Sequence, residues 1–76
     1  MTVKVAKIKI NTEYITLGQL LKKTGLITNG GEAKFFLTIN EILVNGEPEN
    51  RRGKKLRAGD EIIVNNNKGF LISDGT

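Results

Sequence analysis

The sequence predicts a small α+β domain in which two short N-terminal helices pack on a small, mostly antiparallel sheet. Three observations predict it. A β-branched run occupies residues 3–10, two stretches with helical apolar spacing fall between Ile15 and Asn40, and from Ile42 onward the apolar period drops to two. The chain has 76 residues, enough for one core and too few for two, so residues 1–76 are expected to form a single domain.

Each element follows from local chemistry. Residues 3–10 alternate Val and Ile with Lys4, Lys7 and Lys9, as a half-exposed strand does, and the parity shift at Val5–Ala6 predicts a bulge or a strand start near Lys4. Residues 15–26 carry the punctuation of a first helix and its caps. Thr16 is its N-cap with Gln19 three residues on, Ile15 and Leu20 stand at staple positions, and Leu17, Leu20 and Leu21 form its apolar stripe. Gly25 supplies the left-handed C-terminal residue. The second helix has Asn29 as N-cap with Glu32 three residues on, and Gly30 and Gly31 in its first turn. Ala33, Phe36 and Leu37 are its buried stripe, and Phe35 lies nearer the rim but still in the core. Residues 38–40 end it, with Asn40 able to adopt positive φ. Ile42 and Val44 mark a strand, Asn45–Gly46 a tight turn, and Pro48 an edge or loop. Leu56 anchors the segment that follows, residues 58–60 turn with the help of Asp60, and residues 61–64 and 69–73 are strands joined by a turn at 65–68.

Five of the seven residues from 51 to 57 are basic: Arg51, Arg52, Lys54, Lys55 and Arg57. The chain carries 12 basic and 8 acidic residues, so removing this segment leaves seven basic against eight acidic. The entire positive balance therefore sits in one place. Charge concentrated in this way recruits polyanions, nucleic acid above all, although the same cluster could serve as a solvated loop. With no Cys and no His, the chain offers no disulfide, no thiolate nucleophile, no imidazole base and no Cys- or His-based metal site. Its carboxylates form no recognisable acid–base pair, with Glu47 and Glu49 expected to balance the nearby basic arm, and a Gly-Lys-Ser/Thr phosphate loop is missing, so neither an enzyme nor a cofactor is expected. The N-terminus lacks the apolar stretch of a signal peptide and no run approaches a membrane span, which points to a cytoplasmic protein.

The ordered set Leu17, Leu20, Leu21, Gly25, Leu26, Ala33, Ile42, Val44, Asn45, Gly46, Gly59, Asp60 and Ile62 resembles the RNA-binding domain named after ribosomal small-subunit protein four. Residues 15–64 carry that core motif. The flanking strands, with residues 30–34 and 50–55, look like the small stand-alone YaaA-like members. This chain departs from the family where Arg and Asp would flank the first Leu of helix one, having Thr16 and Gly18. It also has Asn29–Gly30 for the usual Ser-Arg, and Asn40 for a Gly after helix two. The resemblance implies that RNA, ribosomal RNA or a ribosomal subunit being assembled, lies across the start of helix two and the loop between the sheet strands, with the protein acting as a monomer.

The candidate RNA-binding residues are Gly30, Gly31, Lys34, Asn45, Gly46, Arg51, Arg52, Lys54, Lys55 and Arg57. Arg brings a planar fork to phosphate and Lys a point charge. The amides of Gly30 and Gly31 offer a phosphate site at a helix start, though the glycines could equally serve close packing and Glu32 competes with an anion there. Lys34 occupies a place the family gives to a contact residue. Asn45 and Gly46 are family hallmarks that turn chemistry also explains. Aromatic platforms are scarce, with three Phe, one Tyr and no Trp; Phe35 is the one candidate with an exposed edge and is expected instead in the core, so recognition of RNA backbone and shape is favoured over stacked single strands. Two alternatives use the same features. Residues 44–47 and 56–64 also resemble a sulfur-carrier β-grasp protein, but those carriers end in Gly-Gly and this chain ends Asp74–Gly75–Thr76. An adaptor docking on an acidic protein partner would use the same cations.

Overall fold

The computed structural model describes residues 4–74. Val3 of the expected opening strand, and Gly75 and Thr76 of the C-terminal end, lie outside the described residues. The elements run β1 (Lys4–Lys9), β2 (Ile15–Thr16), α1 (Leu17–Lys23), a 3₁₀ turn (Gly30–Glu32), α2 (Ala33–Ile39), β3 (Ile42–Val44), β4 (Glu47–Pro48), β5 (Lys55–Leu56), β6 (Glu61–Val64) and β7 (Lys68–Ser73).

The α+β class and the mostly antiparallel sheet hold, with one correction. The helices are not N-terminal: β1 and β2 precede them. The five-stranded sheet, in the order β1-β7-β6-β3-β4, is mixed, because β1 pairs parallel with β7 while the other neighbours are antiparallel. The helical segment is part of the long connection that a parallel pairing of these two strands demands. Pro48 sits on edge strand β4, where its missing N–H costs nothing in the ladder.

Helix α1 forms for the reasons its sequence states. The Thr16 hydroxyl accepts from the Gln19 amide at 3.2 Å and the Gln19 side chain accepts from the Thr16 amide at 2.8 Å. At the far end Leu26 N–H reaches the Leu21 carbonyl at 3.0 Å and Gly25 N–H that of Lys22 at 3.1 Å, with Gly25 at φ +83°. The helix ends at Lys23, and residues 24–26 form its cap, as expected of Gly25. Leu17, Leu20 and Leu21 are fully buried and meet Ile42, Ile62 and Val64 from the sheet in one core that contains no buried polar side chain among the described residues.

The second helix departs from expectation. It opens as the 3₁₀ turn, and the Asn29 side chain makes no cap. The Glu32 carboxylate instead folds back to accept from the Thr28 hydroxyl and from Asn29 Nδ2, the latter at 3.2 Å. Two adjacent glycines give the first turn little intrinsic preference for α geometry, and the tighter turn results. Phe35 is 68% exposed and Ile39 63%, so Phe35 is no core residue. At 100° per residue it falls on the side away from Ala33 and Leu37, which a seven-residue helix cannot bury as well. Asn40 stays extended at φ −120°. Positive φ falls instead on Asn65 (51°) and Asn66 (57°) in the β6–β7 turn, and on Asn45 (53°) and Gly46 (86°) in the two-residue β3–β4 hairpin.

The pairing of β2 with β5 was not visible in the sequence. Ile15 pairs with Leu56 and Thr16 with Lys55. Two residues are too few to show a period, and the partners lie some 40 positions apart.

Candidate nucleic-acid interface

The β2–β5 ribbon places the basic segment. Leu56 is fully buried and Ile15 packs against the core, so strand alternation turns Thr16 and Lys55 outward. Tyr14 and Arg57, next along each strand, share that outer face. The Lys55 ammonium lies 5.0 Å from the Tyr14 ring centre and the Arg57 guanidinium 5.6 Å, both within cation–π range.

The loop before β5 is fixed by its backbone. Leu17 and Gly18 open α1, and their amides have no partner inside the helix. Leu17 N–H donates to the Lys54 carbonyl at 2.8 Å and Gly18 N–H to the Arg52 carbonyl at 2.9 Å. The loop therefore caps the helix with main-chain oxygens and leaves the side chains of Arg52 and Lys54 outside. Gly18 sits at the point of approach: a Cβ there would make ordinary van der Waals contact, 3.4 Å from the Arg52 carbonyl and 3.7 Å from the Ala33 Cβ. Both helices and the basic loop meet at this one residue.

An open groove of about 460 Å³ runs along that junction, lined by Gly18, Lys22, Gly30, Ala33, Arg52 and Gly53 among others. Across Gly53 a second concavity of about 550 Å³ is lined by Arg51, Lys54, Lys55 and Arg57. The structure thus brings Gly30, Arg52, Lys54, Lys55 and Arg57 to one continuous surface.

Gly31, Lys34 and the Asn45–Gly46 turn stand apart from it, and Arg51 lines the second concavity but is already engaged. Arg51 is committed to Glu49, with Nε and an Nη on the two carboxylate oxygens at 2.9 and 3.1 Å and its amide on the same group at 3.1 Å. The side-chain hydrogen bonds from Arg51 hold the Glu49 carboxyl down, from about 4.5 to about 2, and the carboxylate in turn raises Arg51. Gly31 lies under the Asn29 side-chain oxygen, 3.2 Å from where its Cβ would be, and the Glu32 carboxylate closes the same end. Lys34 is exposed on α2. The Asn45 side chain donates to Asp60 at 3.0 Å and accepts from the Glu61 amide at 3.0 Å, and Asp60 also accepts from the Arg57 amide at 2.8 Å. Asn45 therefore works as a brace between two turns, and Asp60 serves the turn that the sequence assigned to it.

Sequence reasoning missed Tyr14, Gly18 and Lys22. The one available signal for Tyr14 was that Tyr14-Ile15-Thr16 and Lys55-Leu56-Arg57 share a polar–apolar–polar pattern, as two paired strands over a core would. Among the described residues, no three His, Cys, Asp or Glu gather to hold a metal ion, and no helix is long and apolar enough to cross a membrane.

Comparison with known proteins places this geometry in a family. Residues 8–72 match the model of the S4 domain. Over 65 residues, 86% of this chain and 92% of the relative, the sequence is 51% identical to a probable ribosome maturation protein RlbA of Bacillus subtilis (strain 168). The chain belongs to the S4 domain family, and the match extends beyond the 15–64 motif on which the resemblance was read.

Proposed function

We propose that this S4-domain chain binds structured RNA of the ribosome, or of a subunit being assembled, and works in the cytoplasm as a monomer without cofactor or catalysis. One observation carries the reading. The groove between the two helix starts opens, at Gly53, onto a concavity lined by the chain's surplus cations. Family membership supports RNA as the polyanion, and the relative's name supports the ribosome as its setting. Arg52, Lys54, Lys55 and Arg57 take phosphates, and Gly30 and Gly53 let the strand approach without obstruction, since nothing lies within 4 Å of a Cβ at either. Lys22, which lines the groove, extends the positive rim, whereas Lys34 lies apart from it, exposed on α2. Arg51 contributes less, being held by Glu49. Asn45 and Gly46 shape the hairpin. Sulfur-carrier chemistry loses its footing once the chain is placed in the S4 family.

The test is binding of a labelled ribosomal RNA stem-loop against duplex DNA of equal charge across a salt series. About four phosphate contacts predict a roughly fiftyfold loss of affinity between about 50 and 200 mM salt. Replacing Arg52, Lys54, Lys55 and Arg57 with Ala should flatten that dependence, and an unchanged slope removes the loop from the interface. Equal binding to RNA and DNA means that only charge is read. A complex with an acidic protein that survives RNA digestion would favour the adaptor role.

A further inference from the structure

We infer that Tyr14 is a stacking platform for one unpaired base of the bound RNA, with Lys55 and Arg57 holding the phosphates beside it. The inference rests on the RNA-binding reading and adds a base contact to what is otherwise backbone recognition.

The ring lies outside the core. Tyr14 is 38% exposed and stands outside the core cluster that Ile15 and Leu56 join beneath it. It is nonetheless well placed, since Thr12 Oγ1 donates to its carbonyl at 2.8 Å and Ile15 fixes the next residue in the ribbon. A buried aromatic earns its place by packing; an exposed one on a rigid ribbon offers a face to something else.

The surroundings of the ring differ in charge. Lys55 and Arg57, 5.0 and 5.6 Å from its centre, line the concavity whose charged residues are all cations. Tyr14 itself lines a separate cleft of about 420 Å³ with Glu13, Gln19 and Lys23. Glu13 beside Lys23 leaves that cleft without a positive surplus, so it suits a neutral base rather than phosphate. A strand crossing the ribbon would leave its backbone on the cationic side and lay a base against the ring. Lys55 and Arg57 are exposed, so their contacts with the ring are weak and exchange readily for charge-assisted bonds to phosphate.

The chain has one Tyr and no Trp, so tyrosine emission reports on Tyr14 alone. The probes are the ribosomal stem-loop, an oligoadenylate, and inorganic polyphosphate matched to the oligoadenylate in charge. Stacking predicts strong quenching by both RNAs and little by polyphosphate at equal saturation. Tyr14→Leu should weaken oligoadenylate binding about tenfold, Tyr14→Phe should keep it within about twofold, and both should leave polyphosphate affinity and the salt slope unchanged. Circular dichroism of each variant checks that the fold is kept. RNA binding without quenching, unchanged affinity in Tyr14→Leu, or binding of the stem-loop but not of oligoadenylate would each overturn the platform while leaving RNA binding intact. Failure of both RNAs to bind would overturn the RNA reading itself.

Discussion

The turns that flank β3 and β6 and the basic loop are held by different means. At one end of that strand pair the Asn45 side chain ties Asp60 to Glu61, and at the opposite end Asn65 accepts from the Glu41 amide at 2.8 Å while donating to Asn40 at 2.7 Å. At the basic end the loop beyond the Glu49–Arg51 pair is held by main chain, through the Arg52 and Lys54 carbonyls on the first amides of α1. Side chains that hold the fold are unavailable to a ligand. A loop fixed by its backbone is rigid and still presents its charges, which is what a preorganised polyanion site requires.

The largest expected effect breaks the anchor common to both roles of the basic end. Leu56 is fully buried between the ribbon and α1, with Lys55 and Arg57 on either side. Leu56→Ala should cost about 2–5 kcal/mol, measured by urea unfolding. Against a total stability of about 5–15 kcal/mol, that is enough to loosen the ribbon before RNA is tested. A cost below about 1 kcal/mol would mean that the ribbon is not packed as described.

Glycines sharpen the same contrast. A Cβ on Gly69 would come within 2.9 Å of Val5 Cγ2 and 3.1 Å of Ile63 Cδ1, where β1, β7 and β6 lie side by side. Gly69→Ala should therefore destabilise by about 1–3 kcal/mol, with part of the loss recovered in a Val5→Ala background. Gly53→Ala meets nothing within 4 Å and should leave the unfolding midpoint nearly unchanged. A loss at Gly53 equal to that at Gly69 would show the loop to be as tightly packed as the sheet.

How much of this was legible depended on range. The capping box at Thr16 and Gln19, the Gly25 terminus, the Asn45–Gly46 hairpin and the Asp60 turn are contacts over a few residues, and the sequence displayed them. The parallel partnership of β1 and β7 and the β2–β5 ribbon join distant segments, and short strands carry no periodicity from which to pair them. The charge cluster announced the basic end. The sequence set Glu47 and Glu49 beside the arm as balancing charges, but which cation each would take depended on side-chain geometry that it does not display. Tyr14 was overlooked for a different reason: its partners are about 40 positions away. Phe35 was misplaced because its apolar character was read without its angle on a two-turn helix.

Asn45→Ala tests whether the hairpin end is purely structural. It removes two side-chain hydrogen bonds and the residue type best suited to positive φ, and should cost about 1–2 kcal/mol. RNA affinity measured below the unfolding transition should stay within about twofold. A larger loss at intact fold would extend the interface to the hairpin, as its family hallmark status first implied.

The smallest effect concerns the one cation at the basic end that is spent on the fold. Arg51 holds Glu49 at a carboxyl value of about 2, below its ordinary 4.5. A carboxylate depressed in the folded state stabilises above its unfolded value and loses that contribution as pH falls through the folded one. The small stability advantage of the natural chain over Glu49→Gln should thus be full at pH 7 and disappear as pH approaches 2, as measured by denaturant midpoints. The same substitution frees the Arg51 fork, whose side chain is already 70% exposed. RNA binding should then tighten at low salt, and the slope of log affinity against log salt should steepen by about 0.7–0.9 for one added phosphate contact. An unchanged slope would mean that Arg51 reaches phosphate even while Glu49 holds it, and the division between structural and available cations would move by one residue.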